Sequence, residues 1–151
     1  MANRVEDHLT PGLYEEFQHE RFVQLATVDA QTGGTNVASL SWVHAKDEAT
    51  LIFAVDHRSR IIQNIGKQPL CSLSIIAGGS TYSISGKAKV VGQSSADVPI
   101  GLSIIELNID EVRDVMFYGA KIVTEPAFAK TYDEQAARNL DQQVMGELQK
   151  H

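Results

Sequence analysis

Apolar and polar residues alternate along "STYSISGKAKVV", with Tyr82, Ile84, Gly86, Ala88 and Val90 on one side and Ser83, Ser85, Lys87 and Lys89 on the other. That two-residue period predicts a strand with one face on a core and the other on water. Five more runs read as strands: "RFVQLATVD", "NVASLSWVHA", "TLIFAV", "LCSLSIIA" and "GLSIIELNI". Between them, "AQTGGT", "KDEA" and Gly78-Gly79 carry turn residues. Helical spacing occurs in three places. Thr10 and Pro11 form a cap and first helical position ahead of "GLYEEFQHE". Ile61, Ile62 and Ile65 follow the third strand, and Ala137, Leu140, Val144 and Leu148 make one stripe near the end, a pattern of packing.

Six successive strands with helices at the ends and after strand three predict a mainly β fold, an antiparallel barrel or sandwich with helical additions. At 151 residues and 16.5 kDa the chain has the size of one domain. The expected layout is a helix over about 11–20, a barrel over about 21–110 and a helix over about 133–149. Apolar content of 43% against 21% charged describes a globular chain, and no stretch has the length of a membrane span. "MANRVEDHLTPG" lacks the apolar core of a secretory signal, so a cytoplasmic protein is expected. A net charge of −6 argues against nucleic acid or an anionic membrane as partner.

Chemistry-bearing motifs are few. The sequence holds no phosphate loop of the Walker type, no GxGxxG after a strand, no HExxH and no GxSxG. His8, His19, His44, His57 and His151 are dispersed without metal-ligand spacing, and no metal is expected. Triad members converge only in a fold, so spacing gives no support to a Ser-His-Asp site. The lone Cys71 excludes an intramolecular disulfide and reads as a small buried apolar residue.

One local feature stands against the acidic background. "DHRSR", residues 56–60, places two arginines and a serine where a strand gives way to a helix. A helix N-terminus offers unpaired N–H groups and the positive end of a dipole, which stabilise an anion. Ser59 could add a hydroxyl, and Arg58 and Arg60 forked donors that match phosphate. The alternative is plain: Asp56 or Ser59 caps the helix while the arginines are solvated or paired with carboxylates.

The order of segments from Phe22 to Gly92 resembles the flavin-binding split-barrel family typified by pyridoxamine 5′-phosphate oxidase. The matching features are the opening "LAT" strand, the "SR" turn, a helix ending before Pro69, and a strand with "SG" near its middle. The resemblance implies a six-stranded antiparallel Greek-key split barrel that dimerises, with flavin mononucleotide (FMN) at the subunit interface. It assigns the phosphate to Ser59 and Arg60, and the isoalloxazine ring to Ser39, Leu40, Ser41, Trp42, Val55 and Asp56. A residue near Thr81 or Tyr82 of the other subunit would close the phosphate site.

Two departures shape the expectation. The family's lysine after the serine-arginine pair is Ile61 here, leaving Arg58 as the available substitute. The oxidase's C-terminal tryptophan and arginine residues, which grip its substrate, have no counterpart in "YDEQAARNLDQQVMGELQKH". The implied function is therefore an FMN-dependent oxidoreductase of a small molecule other than pyridoxamine 5′-phosphate, with no side chain marked as acid or base. The alternatives are a deazaflavin or haem in the same fold, or a non-enzymatic flavin-binding or stress protein.

Overall fold

The computed structural model describes residues 5–151. The strands are β1 (Val5–Glu6), β2 (Val23–Val28), β3 (Thr35–Leu40), β4 (Val43–Asp47), β5 (Thr50–Asp56), β6 (Leu70–Ala77), β7 (Ser80–Gln93) and β8 (Leu102–Asp114). Three helices, α1 (Pro11–Glu16), α2 (Arg60–Lys67) and α3 (Glu134–Leu148), join them. All pairings are antiparallel, in the order β3-β2-β6-β7-β8-β5-β4, with β1 added on β8. The sheet curls around one core, giving the split barrel that the resemblance implied. Among the described residues no helix is long and apolar enough to cross a membrane.

Eight strands replace the expected six for two physical reasons. "NVASLSWVHA" is not one strand, because Leu40 still pairs with Val23 while Val43 pairs with Phe53. At Ser41 and Trp42 the chain changes partner, and the Val43 N–H turns back onto the Ser41 carbonyl at 3.1 Å. Apolar alternation continues through that corner and does not register a change of neighbour. The eighth strand, β1, is two residues long and exists only through pairing with Val112 and Arg113. β8 runs on to Asp114 despite its charged end because β7 continues beside it, Tyr82 pairing with Asp114. At the other end α1 stops at Glu16, short of the expected 20, and the fully buried Phe17 turns into the core.

The barrel is filled by Leu25, Leu51, Phe53, Leu73, Ile75, Ile84, Ile105 and Leu107, every one at most 1% exposed. β5 is buried on both sides, and its alternate residues Ile52 and Ala54 face outward under α3. There Val144 and Leu148, on the stripe read from the sequence, close a second core with Val98, Leu102 and Ile104. The buried Glu147 of α3 accepts a hydrogen bond from the Ser95 N–H, which ties the β7–β8 connection to the same helix.

Two glycine sites are required by geometry. Gly78 and Gly79 both take positive φ, at 58° and 80°, in the two-residue turn between β6 and β7. On β7, a β-carbon at Gly86 would meet the Asn108 carbonyl oxygen at 2.0 Å, where the β7–β8 register shifts. Val90, still in register opposite Ile105, is exposed although its spacing predicted burial, and a second register shift follows it before Gly92.

Candidate functional site

β3 and β4 are the two ends of the sheet path, and the barrel is split between them. Helix α2 packs on β2 and β7 and sends Ile61 and Ile65 into the barrel core. It is held there by Asn64, a buried amide whose Nδ2 donates to Thr27 Oγ1 at 3.0 Å and Asn36 Oδ1 at 2.9 Å while its oxygen accepts from the Ala30 N–H. The turn that launches α2 is fixed by local bonds. Ser59 is the N-cap, its Oγ accepting from the Ile61 N–H at 3.2 Å. The His57 N–H donates to the Gly101 carbonyl at 3.2 Å, and its ring Nδ1 lies 2.9 Å from the same oxygen.

The two arginines differ. Arg58 folds back on Asp56, with Nε 3.2 Å from Oδ1 and Nη2 3.3 Å from Oδ2. The side-chain and backbone hydrogen bonds from Arg58 hold the Asp56 carboxyl below the usual carboxylate range. Arg60 is the first helical residue and exposed, and among the described residues no hydrogen bond or ion pair engages it. The capping alternative is realised at Ser59 and the pairing alternative at Arg58, while Arg60 has only a longer-range attraction to Asp29.

Beside this turn runs a groove of about 390 Å³, lined by Ala38, Ser39, Leu40, Ser41, Trp42, Ala54, Val55, Asp56, Ser59 and Ile61. Its volume lies within the range of small-molecule sites. Seven residues singled out from the sequence, Ser39, Leu40, Ser41, Trp42, Val55, Asp56 and Ser59, therefore meet along one wall. Ile61, standing where the family has a lysine, is buried and contributes an apolar floor. Thr81 and Tyr82 are elsewhere. They pair with Ile76 and Ile75 on β6, and Tyr82 lines a different, larger hollow of about 790 Å³ under the Val115–Lys121 loop. Within one chain they do not approach the groove.

Behind the groove lies a polar group that no local motif announced. Ser41 Oγ donates to Glu20, and Trp42 Nε1 donates to Asp141 Oδ1 at 2.9 Å. Lys130 Nζ bridges the two carboxylates, at 2.8 Å from Glu20 and 3.0 Å from Asp141. Burial works to lower the Lys130 pKa, but its hydrogen bonds to Glu20 and Asp141 prevail and hold it above the ordinary lysine value. These residues come from four distant parts of the chain, so spacing gave no signal. The lining residues Ala38 and Ala54 were missed for a simpler reason, since an alanine carries no chemistry to mark it.

A family model for pyridoxamine 5′-phosphate oxidase matches residues 9–116, well over half the chain. The fold is that of a split-barrel protein, and the chain belongs to the pyridoxamine 5′-phosphate oxidase family. Solved structures agree on the fold. A candidate pyridoxamine 5′-phosphate oxidase from Lactobacillus delbrueckii is 20% identical with a TM-score of 0.60, over 74% of this chain and 98% of that one. HupZ of Group A Streptococcus is 14% identical with a TM-score of 0.55, over 67% and 89%. General Stress Protein 26 from Bacillus anthracis is 17% identical with a TM-score of 0.53, over 66% and 91%. No curated protein gives a significant sequence match.

Proposed function

We propose that the protein is a cytoplasmic homodimer that binds FMN and acts as a flavin-dependent oxidoreductase on a small molecule. The observation that carries this reading is the convergence of Ser39–Trp42, Val55, Asp56 and Ser59 on one groove that ends at the N-terminus of α2. The residues present suit such a ligand. At one end, the positive end of the α2 dipole and the Arg60 guanidinium, which makes no hydrogen bond or ion pair among the described residues, favour a phosphate. Asp56 would oppose it, but its charge is offset by Arg58. Along the rest of the groove, Leu40, Val55 and Ile61 offer apolar surface to a flat ring. Bound flavin would supply the redox chemistry, while the chain supplies position, polarity and exclusion of water.

The dimer reading is supported by the outer face of the sheet. The pairing places Val37, Ala26, Ser72 and Ser85 side by side across β3, β2, β6 and β7. This row is uncharged and small, with Ser72 and Ser85 hydroxyls 2.9 Å apart, in a chain where 21% of residues are charged. A second copy seated on this face would bury it, and such a copy would have to supply Thr81 or Tyr82 to the groove.

The test is the absorption spectrum of the purified protein before and after adding FMN and removing the excess. Retained flavin bands support the reading. A Soret band, deazaflavin absorption or a colourless protein that retains no added FMN overturns it.

A further inference from the structure

One wall of the groove has no strand to hold it. Between Leu40 at the end of β3 and Val43 at the start of β4, Ser41 and Trp42 stand outside the sheet. Backbone bonds fix their carbonyls: the Arg21 N–H donates to Ser41 at 3.2 Å and the Ala54 N–H to Trp42 at 3.1 Å. Their side chains are held by Glu20 and Asp141, two carboxylates that would repel each other without the ammonium of Lys130 between them. Lys130 Nζ also lies 6.0 Å from the Trp42 ring centroid and 5.6 Å from that of Phe128. The three charged side chains are 18% to 24% exposed, so solvent screens them less than ordinary surface pairs.

Lys130 belongs to the stretch from Val115 to Tyr132, which has no helix or strand of its own. That strap is pinned to the barrel by the Val115 N–H on Thr81, the Ile122 N–H on Gly79, and Arg21 on Glu125. Its hold on the β3–β4 corner passes through Lys130. With its proton directed to Glu20, Ser41 can present only oxygen lone pairs elsewhere, which makes it an acceptor toward a ligand.

We propose that Lys130 is a positioning residue for the groove. By bridging Glu20 and Asp141 it sets where Ser41 and Trp42 stand, and so tunes both the affinity for the ligand and the surroundings of its ring. The identity of that ligand rests on the flavin reading above.

The test uses the full chain and four readouts: FMN affinity, the visible spectrum of bound FMN, ligand-free emission of Trp42, and melting temperature. Trp42 is the only tryptophan, so its emission reports this wall directly. Lys130→Met is expected to weaken FMN binding about tenfold, shift the flavin band and move Trp42 emission to the red, beyond what any fall in melting temperature accounts for. Lys130→Arg, which keeps the charge and the donors, should restore most of each. Should Lys130→Met fail to fold, Asp141→Asn is expected to move the same readouts in the same direction. The inference is overturned if affinity and emission stay as in the wild type, or if losses merely track melting temperature and Lys130→Arg restores nothing. A wild type that binds no flavin would sink the cofactor reading alone, and the emission of Lys130→Met against Lys130→Arg would then decide the positioning role.

Discussion

Arg58 lies against Asp56, its Nε 3.2 Å from the carboxylate, whereas Arg60, two residues on, makes no hydrogen bond or ion pair among the described residues and feels Asp29 only through longer-range attraction. The turn therefore spends one cation on its own architecture and leaves the other without a hydrogen bond at the start of α2, between the groove-lining Ser59 and Ile61. Arg60→Ala should weaken FMN binding by about 1.5–3 kcal/mol, or about ten- to a hundredfold, through loss of a charge-assisted contact. Riboflavin, which has no phosphate, should be nearly indifferent. Arg58→Ala should cost less than Arg60→Ala, and Ser59→Ala about 1 kcal/mol with some loss of the helix cap. Titrating both flavins into each variant checks this, and equal losses for the two ligands would refute the phosphate assignment.

The uncharged row on the outer sheet face predicts the assembly. Light scattering at micromolar concentration should give twice the chain mass of 16.5 kDa. Ser72→Lys sets a charge in the middle of that row and should return the protein to a monomer with reduced FMN affinity. A wild-type monomer, or a Ser72→Lys dimer, would show that this face is not the interface.

Gly86→Ala should be severely destabilising. Its new methyl would press on the Asn108 carbonyl oxygen from 2.0 Å and on that residue's carbonyl carbon from 2.9 Å, and neither belongs to a side chain that can swing away. A loss of about 2–3 kcal/mol is expected from such overpacking. Urea unfolding measures it directly.

Leu148 is fully buried under the outer side of β5 and β8. Leu148→Ala should cost about 2–5 kcal/mol, the range for an aliphatic side chain truncated in a core. If α3 were a loosely attached appendage, the melting temperature would hardly move.

Burial pushes the Cys71 thiol up to about 11, from an ordinary value of 9.0. Below pH 9 both folded and unfolded chains keep the proton. Between pH 9 and pH 11 the unfolded chain loses it and the folded one does not, so this residue's contribution to stability falls as pH rises through that window. Cys71→Ala should flatten the decline, as read from unfolding curves across the range. In the native protein the thiol should resist alkylation at neutral pH and react promptly once unfolded.

The sequence by itself determined what depends on neighbours along the chain. Alternation in "STYSISGKAKVV" placed Ile84 and Ala88 inward, the Thr10-Pro11 pair began α1, and the stripe from Ala137 to Leu148 gave α3 its buried side. The basic turn was legible for the same reason, since a cap and its helix are contiguous. Tertiary structure decided what depends on partners. It split "NVASLSWVHA" where the chain exchanges β2 for β5, made a strand of Val5–Glu6 through β8, and left Val90 exposed although it keeps its register opposite Ile105. It also separated Arg58 from Arg60 by giving only the first a direct ion pair, and drew Glu20, Lys130 and Asp141 together behind Trp42. Periodicity records which side of an element is apolar; it carries no information on which distant charge will come to rest against it.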